Sequence, residues 1–282
     1  MMPGRPFEIG GRYRTTTSVV GEIENANVKE TWKVGQASRI FTNHSLNKAI
    51  AQEFSNQGEG EHASVASFAR HTLQLLTMVA PPSLLTGSQK AALDEIKHAK
   101  MCYGIAEAFL GKTIQPSTLD VEGSVKLHGG EENLQSVINE GCIGETISAV
   151  RAQLGAHYAK QPMVKDSLET IAADEANHAQ LAWNTVQWAI TRYPELQTIA
   201  KETFKARLDR PLINLNSVPM DHCHDCEKDS SLHDNGLLLD EDQLNTEVLS
   251  IQNVIHPVVE NEFQNVEVIS TQILSMDFTK FQ

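Results

Sequence analysis

The sequence predicts an all-α protein built on a four-helix bundle, two helix hairpins joined by a long crossover, with additional helices towards the C-terminus. Apolar residues recur three and four apart through four long stretches, and Pro and Gly bound each stretch. One six-residue motif also occurs twice, once in the second helix of each hairpin. With 282 residues and 40% hydrophobic content, the chain can fill a sizeable core. Its formal charge of −13, without clustered Lys and Arg, argues against a nucleic acid or an anionic membrane as partner. A small-molecule substrate or another protein is the expected partner.

Residues 1–54 read as an extended N-terminal wrap followed by a short helix. The first fourteen are polar, carry Pro3, Gly4, Pro6 and Gly10, and lack the apolar run of a secretory leader or membrane span, so a cytoplasmic location is expected. The four cysteines, at 102, 142, 223 and 226, are too few for a disulfide framework and are read as reduced. A short helix is expected from Ser45, as its N-cap, to residue 57, with Gly58 and Gly60 loosening the chain after it.

The bundle is assigned to residues 55–207. Its first helix starts at Glu61 and buries Val65, Phe68, Thr72, Leu75 and Val79, with Arg70 and Gln74 turned away, and Pro81-Pro82 ends it. The second runs over 83–110 and is closed by Gly111; residues 112–130, rich in breakers, form the crossover. The third covers 131–159. Pro162 opens the fourth, whose stripe of Leu168, Ile171, Glu175, His178, Ala182, Val186 and Ala189 continues to residue 192, and a short helix over 194–207 extends it. Residues 208–282 read as a loop, a helix over 240–263 kinked at Pro257, and a tail of undecided structure, all packing on the bundle.

Asp94-Glu95-Ile96-Lys97-His98-Ala99 recurs as Asp174-Glu175-Ala176-Asn177-His178-Ala179. Glu and His three apart on a helix lie on one face, about one turn from each other, so each motif offers a carboxylate and an imidazole to a metal ion. A bundle centre then needs a carboxylate from each of the other two helices. Glu61 precedes Glu95 by 34 residues and Glu140 precedes Glu175 by 35, and laying Glu61 on Glu140 also matches Gln74-Leu75 with Gln153-Leu154, as in a duplicated hairpin. Glu145 competes with Glu140: folding the hairpin at Gln161 sets Glu145 level with Glu175 and His178, and only a locally wider helix would let both carboxylates face inward. The internal match favours Glu140. Four Glu and two His suit iron, or manganese, better than a thiolate-rich zinc site, and two such ions are expected.

The strings Glu-His-Ala-Ser-Val-Ala-Ser-Phe-Ala-Arg from Glu61, Ala-Leu-Asp-Glu-X-X-His-Ala, Glu-Gly-Cys-Ile-Gly-Glu-Thr from Glu140 and Ala-X-Asp-Glu-Ala-X-His-Ala resemble the ferritin-like di-iron carboxylate superfamily, in its branch of largely uncharacterised ferritin-like domain proteins. The resemblance covers residues 55 to 192. It implies a ferritin-like bundle with a non-haem di-iron centre held by Glu61, Glu95, His98, Glu140, Glu175 and His178, and it implies no particular substrate. The leading expectation is an oxidoreductase that activates dioxygen or peroxide to oxidise a small substrate, with electrons from a separate reductase. A ferroxidase or iron-handling protein, and a metal-stabilised structural protein without an organic substrate, are the alternatives. Outside the motif, His222, Cys223, His224 and Cys226 have the residue types of a second metal site, Gly155 and its neighbouring glycines point to close helix packing, and Cys102 and Tyr103 to core packing.

Overall fold

The computed structural model describes residues 7–9, 12–21, 32, 40, 43–124, 129–209 and 226–279, without the side chains of 226–229. It is predominantly helical, as expected. The chain divides into two compact units, Met1–Thr72 with Ser88–Lys126, and Leu73–Gly87 with Leu127–Gln282.

In the first unit, three short strands, β1 (Glu8–Ile9), β2 (Arg12–Tyr13) and β3 (Ser18–Val20), precede helix α1 (His44–Thr77). Strands β1 and β2 form a small antiparallel hairpin, while β3 pairs antiparallel with β4 (Ile114–Pro116) in the crossover. The wrap is fastened by polar contacts: Ser18 N–H donates to Glu59 Oε1 at 2.7 Å and Thr16 Oγ1 to the Ser117 carbonyl at 2.7 Å. Phe7 is buried beneath the Arg70 guanidinium, 5.1 Å from the ring.

Helix α1 corrects three expectations. It runs unbroken through Gly58 and Gly60, its cap is Asn43, whose Oδ1 accepts the Leu46 N–H at 2.8 Å, and its buried face starts at Ile50 and Phe54. Two glycines cost a helix only about 1 kcal/mol each, and burial of one continuous stripe outweighs that. Gly58 also has a use: a Cβ there would stand 3.0 Å from the Tyr103 ring, so its absence lets the ring lie against the helix backbone. Gln74, expected outside, is buried, and Val79, expected inside, is 82% exposed. Helix α2 (Pro82–Leu110) lies antiparallel to α1, since Thr72 meets Ser88 at 2.9 Å and Asn47 reaches the Phe109 carbonyl at 3.2 Å.

The second unit is organised around α5 (Pro162–Arg192), which opens on Pro162 at its first position and buries the whole expected stripe. Its hairpin partner is one continuous helix in three windings: α3 (Gly130–Ser136), a π-helical segment Val137–Glu145, and α4 (Thr146–Tyr158). Helix α6 (Leu196–Leu208) follows; Trp183 of α5 stacks on its Phe204 at 5.1 Å.

Residues 226–233, expected as loop, form helix α7 (Cys226–His233). The expected C-terminal helix appears as α8 (Asp240–Ser250), a second π-helical segment Ile251–Ile255, and α9 (His256–Glu260). Pro257 cannot donate to the ladder and its ring crowds the carbonyl four residues back, and the wide turn before it absorbs both effects. The tail closes with a 3₁₀ turn, Val266–Val268, and α10 (Ile269–Leu274), held to α5 by Gln180, which accepts the Ser270 N–H at 3.1 Å. At Gly155, expected to serve close helix packing, a Cβ would be 2.7 Å from the carbonyl oxygen of Gly236, in the turn after α7, and 3.2 Å from Leu168 of α5, so a turn as well as a helix lies against it.

Candidate metal site

Helical spacing places Glu95 and His98 on one face of α2, and α1 sets Glu61 against them. His98 Nδ1 is 3.7 Å from Glu95 Oε2 and 3.9 Å from Glu61 Oε2. In the second unit, α5 presents Glu175 and His178 in the same way, with His178 Nδ1 3.5 Å from Glu175 Oε2, and the π-helical segment supplies Glu145. One ligand atom from each of Glu61, Glu95 and His98 lies within 4.8 Å of the other two, and the same holds for Glu145, Glu175 and His178. All six side chains are buried, none more than 3% exposed.

This geometry fits a metal ion. Two ligand atoms each roughly 2.1 Å from a shared ion stand about 3–4 Å apart. The imidazole–carboxylate separations fall in that interval and exceed the reach of a hydrogen bond. Carboxylates are also almost never buried without compensating charge. Each triad offers two oxygens and one nitrogen, with no sulfur, to a metal ion.

The structure brings Glu61, Glu95 and His98 together in one unit and Glu145, Glu175 and His178 together in the other. Glu140, the carboxylate favoured by the internal match, is buried at 7% exposure on the same π-helical segment but joins neither triad. In an α-helix residues five apart diverge by about 140°, and the i→i+5 hydrogen bonds of the wider winding reduce that divergence.

Around the first triad, His62 is half-buried and its imidazole is held below the usual range by burial, with the Trp32 ring edge-on at 5.1 Å. Cys102 and Tyr103 are core residues; burial, then the charges of Glu59 and Cys102, push the phenol far above its ordinary range. Ser64, Ser67 and His71 of α1 are buried polar residues that apolar periodicity could not single out. An open cleft of about 350 Å³ beside Gln153, His157, Lys165, Glu169, Leu274 and Phe278 contains none of the six clustered residues. His222, Cys223 and His224 lie outside the described residues, as does the side chain of Cys226. No helix among the described residues is long and apolar enough to cross a membrane. Comparison with protein-family models, with curated proteins and with solved structures returned no match.

Proposed function

We propose that this chain is a ferritin-like, non-haem di-iron oxidoreductase, in which Glu61, Glu95 and His98 hold one iron ion and Glu145, Glu175 and His178 hold a second. The observation that carries the reading is the occurrence of the same buried Glu-X-X-His pair in two units, each completed by a third buried carboxylate from a neighbouring helix. Charge supports it: in each triad two carboxylates and a neutral imidazole balance one divalent ion, whereas two buried carboxylates alone would repel each other. Oxygen-rich ligation with imidazole favours iron or manganese. Bound there, the metal pair would supply the redox and Lewis-acid chemistry for activating dioxygen or peroxide.

The residues of the chain contribute placement and exclusion. Buried stripes on α1, α2 and α5 keep water from the carboxylates, which strengthens their hold on cations. Each Glu-X-X-His pair is fixed on a rigid helix, so the imidazole and carboxylate keep their spacing as the metal charge changes. The substrate is a small molecule that reaches a buried centre, and a separate reductase supplies electrons for repeated turnover.

Anaerobic titration with ferrous iron, followed by desalting and metal analysis, tests the reading. Two irons per chain are expected for the wild type, with at least one lost in each of Glu95→Ala and Glu175→Ala. Oxygen consumption on air exposure should exceed one equivalent per centre only when an external reductant is present; a single burst with no response to reductant would instead mark an iron-oxidising protein. A wild-type chain that retains no iron, or variants that still retain two, would refute the assignment.

A further inference from the structure

The open cleft of the second unit, between α4, α5 and the tail, has features that the metal reading leaves unused. Its volume of about 350 Å³ is within the range of small-molecule sites, and none of the six clustered side chains lines it. Ala156 of α4 and Ala172 of α5 line it and are buried, so small side chains at these positions give the cleft its depth. An apolar wall comes from Leu274, the last residue of α10, with Met276 and Phe278 after it, and Leu274 keeps 47% of its surface exposed. The polar side begins with Gln153, whose Oε1 is buried and accepts no hydrogen bond among the described residues. The terminal torsion of a glutamine is soft, so this amide can turn its oxygen or its nitrogen towards a molecule in the cleft. Lys165 and Glu169 complete the lining: Nζ and Oε1 stand 3.9 Å apart, with the side chains 49% and 57% exposed. At that distance and exposure the pair adds little to stability. Lys165 also lies in the first turn of α5, near the positive end of the helix dipole, and Lys before Glu is the weaker order for such a pair. The helix itself gains little from either charge.

We propose, independently of the metal reading, that this cleft binds a free α-amino acid with an apolar side chain, in its zwitterionic form. The ammonium and carboxylate of an α-amino acid are separated by a single carbon, a spacing that suits the short gap between Lys165 and Glu169. The four charges then alternate around a ring, the ligand carboxylate accepting from Lys165 and its ammonium donating to Glu169, each at about 2.7–2.9 Å. Gln153 bonds whichever of the two groups faces it. The ligand side chain lies over Ala156 and Ala172 and covers Leu274, which removes apolar surface from water. A peptide carries its terminal charges at opposite ends and cannot close the same ring, so the free amino acid is the fitting class.

Isothermal titration calorimetry of the full chain with L-leucine and L-phenylalanine tests the assignment, with 3-phenylpropanoate and 2-phenylethylamine as analogues that lack the ammonium or the carboxylate. At least one of the amino acids should bind, with one site per chain. Each analogue should bind roughly ten times more weakly than L-phenylalanine, or not at all, since each loses a hydrogen bond between charged groups. Lys165→Gln and Glu169→Gln should weaken amino-acid binding by a similar factor, and Leu274→Ser should weaken it as well. These side chains are exposed, so the melting temperatures of the variants should stay near that of the wild type. Absence of binding by both amino acids at millimolar concentration overturns the proposal. So does an analogue that binds as tightly as L-phenylalanine, which would remove the zwitterion, or wild-type affinity in both Lys165→Gln and Glu169→Gln, which would place the ligand elsewhere.

Discussion

Val79 is a residue whose backbone opposes its side chain. It follows the end of α1 with φ +56°, the Ala80 N–H returning to the Leu75 carbonyl at 3.0 Å and its own N–H to Leu76 at 3.2 Å. This is a Schellman turn whose left-handed position is commonly glycine, and a β-branched side chain there costs about 1–2 kcal/mol. At 82% exposure the side chain recovers little by packing. Val79→Gly should raise stability by about 1 kcal/mol, seen as a higher urea midpoint at unchanged slope; an equal or lower midpoint would reject the account. The same scale shows what individual letters could reveal. Glu95, His98, Glu175 and His178 were legible because a repeated four-letter constellation is rare. Glu145 was legible only as the alternative to Glu140, because matching the two hairpins by residue count assumes equal turns. From Pro82 to Glu95 and from Pro162 to Glu175 the count is 13 in both. From Glu61 to Pro82 it is 21, against 17 from Glu145 to Pro162, a difference of about one helical turn. The second helices keep register and the first do not.

Elements are joined in the second unit by one carboxylate. Asp242, in the first turn of α8, accepts from the Leu239 N–H at 2.9 Å and the Tyr158 hydroxyl at 3.2 Å, and lies 2.8 Å from His233 Nε2, while the His233 ring stacks on Tyr158 at 4.2 Å. The ends of α4, α7 and α8 thus meet at one point. Burial, followed by the charge of Asp242 and the hydrogen bond to it, pushes the Tyr158 hydroxyl up to about 12. The folded state holds this proton more tightly than an unfolded tyrosine, which titrates near 10. The contribution is therefore complete below pH 10 and disappears as pH rises through 12. The difference in melting temperature between wild type and Tyr158→Phe should narrow over that interval; a constant difference would remove Tyr158 from the linkage. Helix existence was well read from sequence because the stripes are long and bounded by Pro. Helix boundaries and winding were read less well: the continuity of α1 depends on a buried face that carries on past Gly58 and Gly60, and the π-helical turns depend on tertiary packing, neither of which a glycine or a local period in the sequence marks.

For the molecule as a whole, a metal pair would be part of the fold's stability. Four buried glutamates without cations must either take up protons or repel, so the metal-free chain should unfold at a lower temperature. A ligand that binds only the native state at a hundred times its dissociation constant adds about 2.7 kcal/mol. Chelator-treated protein should therefore melt several degrees below protein resupplied with ferrous or manganous ion, and the gap should vanish in a Glu95→Ala, Glu175→Ala double variant. A melting temperature indifferent to metal in the wild type would contradict this. The net charge of −13 acts in the same direction, since it draws cations towards the chain at low ionic strength. The π-helical segment also bears on how the helix through α3 and α4 is built. The wide turns of Val137–Glu145 close at Thr146, which is back in α-helical winding, and α4 beyond them still buries Ile147, Val150 and Leu154, so a local change of winding leaves the helix continuous and its apolar face in the core.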